Sequence, residues 1–240
     1  MVITSLNNNK IKEYIKLKER KNRKKTGEFL IEGRHLVLEA CKKGIVKEII
    51  LVENASFITD IPVIYVSSDV MNKLSDMESA SDVMALCTLL DNEMYGEKFV
   101  LLDDIQDPGN LGTLIRSARA FGFNTLILDG CVDPYNPKTL RSAEGNIFFI
   151  SIVNESLDSL KKKGYEIYST SMNGISLESE NSFPQKLVLI LGNEGRGVRE
   201  EIQEIADKNL TISMIDAESL NVAVAGSIIM HHIMAKQKAE

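Results

Sequence analysis

Arg116 and Arg119 lie three residues apart in DPGNLGTLIRSARAF (107–121), on one side of what reads as a helix opened by a proline–glycine turn. A guanidinium stays charged at neutral pH and presents a fork of donors that suits phosphate, so the pair points to an anionic or sugar-phosphate ligand. Two further segments carry polar groups of a compatible kind. In LGNEGRGV (191–198) Glu194 stands among Gly192, Gly195 and Gly197, whose missing side chains let a backbone pass close to a ligand; its carboxylate reads equally as a tie for the N–H-rich turn and as a group for chemistry. In SLNVAVAG (219–226) Ser219 and Asn221 open a long apolar helix; Ser219 is expected to cap it, and a buried Asn221 amide must be hydrogen-bonded or lose about 1–3 kcal/mol. As a nucleotide signature the glycine loop is weak, because it lacks both the GxGxxG spacing and the lysine of a P-loop.

The elements that position these groups follow from apolar patterning. FVLLDD (99–104) and NTLILD (124–129) are short buried runs flanking the arginine helix, which makes a βαβ unit with ligands expected beyond the carboxyl ends of its strands. Asn110 is expected to cap that helix, with Leu111, Leu114, Ile115 and Ala118 facing the sheet. Further strands are expected at 148–153, 165–170, 187–191 and 209–212, and helices near 155–163, 198–206 and 219–236. The first part of the chain alternates a basic helix over 8–23, a strand at 29–31, a helix over 34–43, strands at 48–52 and 63–66, a helix over 69–74 and a strand at 83–90. The polar stretch DNEMYGE (91–97) reads as a linker, dividing the chain into residues 1–92 and 98–240.

With 240 residues and 44% hydrophobic content, the chain has the make-up of an ordinary globular protein. No apolar stretch reaches the length of a membrane span and the first residues do not resemble a signal peptide, so a cytoplasmic protein is expected. Cys41, Cys87 and Cys131 are odd in number and mostly within apolar runs; they read as buried free thiols rather than a disulfide frame or zinc site. The adjacent His231 and His232 point different ways on a helix, poor geometry for a metal. Between Lys10 and Lys25 nine Lys and Arg face two Glu, a local charge of +7 in a chain of net −6, so the remainder carries −13. By itself that asymmetry suits either a solvated helical charge run, the commoner case, or a localised polyanion contact, with Lys10, Lys18, Arg20, Arg23 and Lys24 as candidate nucleic-acid ligands.

The three ordered segments, with Asn110 and Arg116 in the first, LGNEGRGV as the second and SLNVAVA as the third, resemble the motifs of the SpoU/TrmH family of RNA ribose 2′-O-methyltransferases. The likeness spans about residues 98–238. It includes VDPYNPKTLRSAEGNIF (132–148), similar to a region on the RNA side of the family's site, which adds Arg141 as a candidate RNA contact; Arg119, three residues after Arg116, reads as an RNA contact or as helix surface. The N-terminal region resembles the small α/β RNA-binding domain, akin to certain ribosomal proteins, that precedes the catalytic domain in ribosomal RNA methyltransferases of this group. The resemblance implies an α/β SPOUT fold with a mainly parallel sheet and a deep C-terminal trefoil knot, S-adenosylmethionine as cofactor, no metal, and an active site completed across a homodimer. It further implies cofactor contacts at Gly192, Asn193, Gly195, Ile212, Met214 and Leu220, mostly through the backbone, with Thr170 a further candidate. One departure stands out: the family's Ile-Pro-Met is Ile212-Ser213-Met214 here, and the connection to Ser219 is one residue shorter.

The implied reaction is in-line attack of a ribose 2′-hydroxyl on the methyl of a sulfonium, in which positioning supplies much of the acceleration. Arg116 is the family's proposed proton acceptor, but a guanidinium with pKa above about 12 is a poor base. A composite role fits better: Arg116 binds the substrate phosphate and orients the hydroxyl, while Asn110, Glu194, Ser219 and Asn221 position Arg116 and the ribose. Ribosomal RNA is the expected substrate, with transfer RNA as alternative. A non-catalytic RNA-binding or ribosome-assembly protein of the same fold is the reading of a different class. The joint presence of Asn110, Arg116, Glu194, Ser219 and Asn221 argues against it, and an oxidoreductase would need a dinucleotide fingerprint.

Overall fold

The computed structural model describes residues 2–91 and 93–238. The chain divides into two compact units, one formed by the chain up to Asp91 together with Tyr135–Phe148, the other by the remainder. The first unit runs β1 (Val2–Ile3), α1 (Asn9–Lys16), α2 (Arg20–Thr26), β2 (Glu28–Glu32), α3 (Arg34–Lys43), β3 (Val46–Val52), β4 (Val63–Val66), α4 (Ser68–Leu74) and β5 (Val83–Thr88). Its mixed sheet has the order β1-β4-β3-β5-β2, parallel through β3 and antiparallel beyond it. Ile11, Tyr14 and Leu17 at helical spacing pack with Val70, Met71 and Leu74 in one core cluster. On the other part of the sheet Phe29, fully buried, meets the rings of Tyr135 and Phe148 at 4.8 and 6.2 Å.

The single basic helix expected over 8–23 is two helices, broken between Lys16 and Arg20. The cause is Arg23, whose Nη1 donates to the carbonyls of Leu17 and Lys18 at 2.6 and 2.8 Å, taking up acceptors at the end of α1. Arg23 is only 5% exposed.

The second unit contains β6 (Lys98–Asp103), α5 (Pro108–Ala120) and β7 (Thr125–Asp129). After α6 (Pro137–Ser142), which lies in the first unit, it continues with β8 (Ser151–Val153), α7 (Leu157–Lys162), β9 (Glu166–Ser176), β10 (Leu187–Leu191), α8 (Glu200–Ile205), β11 (Lys208–Thr211) and α9 (Val222–Lys238). Its six strands are all parallel, in the order β11-β9-β10-β6-β7-β8. All five residues of β10 are buried, as the unbroken LVLIL run requires of a parallel strand covered on both faces. α5 begins one turn earlier than expected: Asp107, not Asn110, is its cap, accepting from the Asn110 amide at 2.8 Å with Pro108 at the first helical position. α9 lies close against α5 and β10, since a Cβ on Gly226 would come within 2.7 Å of Leu114 and 2.5 Å of Leu191, and the Ser117 and Ser227 hydroxyls meet at 2.7 Å.

β9 runs six residues past its expected end. Its pairing with β11 jumps from Ser169 opposite Asn209 to Ile175 opposite Leu210, so residues 170–174 arch out of the ladder. At the foot of the arch a Cβ on Gly174 would sit 2.4 Å from the Asn209 carbonyl oxygen.

Candidate active site

Four segments at the carboxyl ends of the parallel strands meet around one cleft of about 480 Å³: the β9 arch, the glycine loop after β10, the segment after β11 and the start of α9. Thr170, Gly192, Asn193, Gly195, Ile212, Met214 and Leu220 all line it, together with Glu194 and Ser219. Its apolar wall includes Leu191, Leu210 and Ile229. Gly192 is there because nothing larger fits: a Cβ would meet the Val198 nitrogen at 2.1 Å and the Gly197 carbonyl carbon at 2.2 Å.

The glycine loop is held open by its own asparagine. Asn193 exchanges backbone hydrogen bonds with Gly197 at 3.0 and 2.9 Å, its Oδ1 accepts from the amides of Gly195 and Arg196 at 2.9 and 3.2 Å, and its Nδ2 donates to the Asp104 carbonyl at 2.8 Å. Both its backbone groups and its side chain are thus committed to shaping the loop.

Glu194 reaches out of this loop to the one before α5. Its Oε1 accepts from the Asp107 amide and from Asn110 Nδ2, each at 3.1 Å, and its Oε2 accepts from the Gln106 amide at 3.3 Å. Asn110 extends the chain of hydrogen bonds, its Oδ1 accepting from Asn221 Nδ2 at 2.9 Å. Asn221 Oδ1 in turn accepts from the amides of Ala223 and Val224 at 2.9 and 3.3 Å, so Asn221, rather than Ser219, caps α9. The amide is exposed rather than buried, yet both its ends are engaged. Partial burial pushes the Glu194 carboxyl up, but the hydrogen bonds from Asn110 and the nearby backbone amides outweigh it and leave the group below its ordinary value. Glu194 is therefore an ionised clamp, with its oxygens facing donors, and not a poised base.

Residues 97–231 match the SpoU rRNA Methylase family, and residues 8–85 match an MRM3-like substrate binding domain. The 23S rRNA (guanosine(2553)-2′-O)-methyltransferase RlmP of Bacillus subtilis is 40% identical over 96% of this chain and 98% of its own. The chain belongs to the SpoU rRNA methylase family. Among solved structures, an AdoMet-bound rRNA methyltransferase from Sinorhizobium meliloti superposes with a TM-score of 0.84 at 26% identity, covering 98% of this chain and 97% of the other. An RNA 2′-O ribose methyltransferase aligns with a TM-score of 0.83 at 26% identity over 99% and 100% of the two chains.

In this member of the SpoU family the expected site residues separate into groups. Glu194, Asn110 and Asn221 form one connected chain beside the cleft, and Ser219 lines it without a side-chain hydrogen bond among the described residues. Arg116 stands apart, exposed on α5 about 9 Å along the helix axis from Asn110, with no side-chain partner among the described residues. Arg119 stacks its guanidinium over Phe149, 4.0 Å from the ring centre. Of the basic candidates in the N-terminal unit, Arg23 is an internal fastening and not a surface contact. Lys10 pairs with Glu48 at 2.5 Å and Lys18 with Asp76 at 3.1 Å, whereas Arg20 and Lys24 are exposed without side-chain partners among the described residues. Arg141 lies on α6, with the N-terminal unit.

Sequence reasoning missed the acidic end of β6. Asp103, fully buried, accepts from Arg199 Nε at 2.7 Å and from the Arg199 amide at 2.9 Å, and Arg199 also bridges to Asp129. The hydrogen bond to Asp129 foremost, and the Asp103 carboxylate with it, hold the Arg199 guanidinium above its ordinary value. Two aspartates closing a buried parallel strand at its ligand-binding end were the available signal. All three cysteines are free, but only Cys87 is fully buried; burial raises each thiol, Cys131 to about 11, so none is a thiolate nucleophile at neutral pH.

Proposed function

We propose that this protein transfers the methyl group of S-adenosylmethionine to a ribose 2′-hydroxyl of ribosomal RNA, in the cytoplasm. The carrying observation is the cleft: every segment singled out for cofactor contact lines it, and the Glu194–Asn110–Asn221 chain runs alongside. Its volume falls in the range of small-molecule sites and its wall combines apolar side chains with glycine backbone, both of which suit a nucleoside-containing cofactor. The bound sulfonium supplies an electrophilic methyl, so no metal is needed.

This chain's own residues do the rest. Gly192, Ile212 and Leu220 offer the backbone groups that hold the cofactor. Glu194 holds the loop before α5 at a fixed place against the glycine loop, and Asn110 and Asn221 keep the start of α9 in register with it. Arg116 binds the substrate phosphate and orients the 2′-hydroxyl, whose proton passes to a phosphate oxygen or to a transiently neutral guanidine. Its distance from Asn110 and its lack of a partner among the described residues support a site completed by a second copy of the chain. Val224 and Ile228, 48% and 40% exposed on α9, offer that copy an apolar face. A trefoil knot in the second unit is supported by β10 lying between β9 and β6 and by the close approach of Gly174 to the backbone of Asn209 and Leu210. Exposed Arg20 and Lys24 supply phosphate contacts from the N-terminal unit.

Mapping alkali-resistant ribose linkages in ribosomal RNA from cells with and without the gene tests this reading. Loss of a single methylated ribose on deletion is expected; an unchanged ribosomal RNA map overturns it.

A further inference from the structure

Asp104 is a non-glycine residue in the left-handed region, with φ of 60°, immediately after β6. Only short polar residues adopt that conformation with any ease, and a residue kept there has a reason to be. Its groups gather three segments. Its amide donates to the Asp129 carbonyl at 2.7 Å, tying it to the end of β7. Its Oδ1 accepts from Gln106 Nε2 at 2.6 Å, and that same nitrogen donates to the Gly130 carbonyl at 2.9 Å. Its carbonyl and Oδ2 accept from Asn193 Nδ2 at 2.8 and 3.2 Å, and Oδ2 also takes the Arg196 guanidinium. Asn193 is the residue that shapes the glycine loop, and Gln106 supplies one of the amides on which Glu194 closes. Asp104 itself does not line the cofactor cleft.

We propose that Asp104 is a positioning residue for the methyl transfer: acting through Asn193 and Arg196 on one side and Gln106 on the other, it sets the shape of the glycine loop that receives the cofactor. The left-handed turn aims its carboxylate back across the strand ends, and a carboxylate is needed because several donors converge on its two oxygens. The Arg196 side chain stays 80% exposed with this ion pair made, and Asp104 is its one side-chain partner among the described residues.

The inference rests on the methyltransferase reading, and Asp104→Gly separates the two. Glycine adopts a φ of 60° without penalty, so the variant keeps the turn and loses only the carboxylate's hydrogen bonds and ion pair. The expected result is a folded variant whose melting temperature stays within a few degrees of wild type, the relieved φ offsetting part of the lost bonds, and an S-adenosylmethionine Kd, by calorimetry, raised about 10-fold, an order suited to a misplaced loop. KM for the cofactor should rise more than kcat falls. Amide exchange at Gly195, Arg196 and Gly197, measured without cofactor, should speed up. Asp104→Asn, which tolerates the same φ and keeps one acceptor oxygen, should recover part of the affinity. In a double-mutant cycle with Arg196→Met the two effects should be less than additive. Unchanged exchange together with an unchanged Kd in Asp104→Gly overturns the proposal, as does a lowered melting temperature with KM unmoved, the mark of a purely structural residue. Failure of the wild-type protein to bind S-adenosylmethionine sinks the methyltransferase reading instead, and the exchange measurement then still decides whether Asp104 shapes the loop.

Discussion

Glu194→Gln tests the division of labour between clamp and base. The glutamine keeps the shape of the side chain and its carbonyl can retain the hydrogen bonds of Oε1 with the Asp107 amide and Asn110 Nδ2, but its NH₂ then faces the Gln106 amide across 3.3 Å, donor against donor. A hydrogen bond to a charged acceptor contributes about 1.5–3 kcal/mol when sheltered; Glu194 is exposed, so about 0.5–1 kcal/mol for each of the three is the reasonable scale. Removing one bond and weakening two gives about 1–2 kcal/mol, and kcat/KM should fall about 5- to 30-fold. The folded-state pKa of Glu194 lies below its unfolded value, so the clamp is fully present above the ordinary glutamate pKa of about 4.3 and is lost only as pH falls through the lower folded value. The assay is transfer of labelled methyl groups to unmodified ribosomal RNA between about pH 5 and 9, where the drop should be uniform across the profile. If Glu194→Gln instead erases an ionisation limb near neutral pH, Glu194 is the proton acceptor and the clamp argument is wrong; an undiminished kcat/KM refutes it equally.

Mixing inactive Arg116→Ala and Asn221→Ala protomers tests completion of the site by a second chain: random re-pairing should restore about a quarter of wild-type activity if Arg116 works in the partner's site, and none if it works in its own. Arg23→Ala should destabilise the protein by about 2–4 kcal/mol in denaturant titration, because it strips the Leu17 and Lys18 carbonyls of their buried donor. Arg20→Ala and Lys24→Ala should leave stability within about 0.5 kcal/mol. Each should nevertheless lower RNA affinity and reduce the salt slope by about one unit for every phosphate that is no longer neutralised. Gly192→Ala should abolish S-adenosylmethionine binding in calorimetry or prevent folding altogether, since the nearest backbone atom to the new methyl is 2.1 Å away and cannot yield as a side chain would.

The parallel sheet was legible because its strands are buried on both faces and so read as unbroken apolar runs; LVLIL at 187–191 has the same bounds in sequence and structure. What failed was decided by particular side-chain hydrogen bonds and strand pairings that apolar patterning does not carry. A continuous helical pattern over 8–23 hid the break that Arg23 makes by turning back on Leu17, and nothing local distinguishes that arginine from Arg20 or Lys24. The arch at 170–174 depends on where β11 pairs, so Thr170 was found as a cleft residue while the extension of its strand was not. The caps of α5 and α9 each fall on the other polar residue of a pair, because Asp107 and Asn110, like Ser219 and Asn221, are all competent caps; Asn110 is drawn away to Glu194 and Asn221, while Asp107 and Asn221 take the helix amides. The motifs delivered the cleft residues, and a tie within an N–H-rich turn was one of two readings open for Glu194; the choice between them, and the role of Asn193, required the distances.

The segment Tyr135–Phe148 belongs to the N-terminal unit although it follows β6, α5 and β7 in the chain. On the ribosome, then, the N-terminal unit cannot be finished when its own ninety-odd residues have emerged. Phe29 waits for Tyr135 and Phe148 while two strands of the second sheet, β6 and β7, have already been made, and the two units must mature in an interleaved order rather than one after the other. The same interleaving governs any exchange of parts between relatives: a cut at Asp91 transplants the N-terminal sheet with Phe29 of its edge strand β2 uncovered, and a working chimera has to carry residues 135–148 across with it.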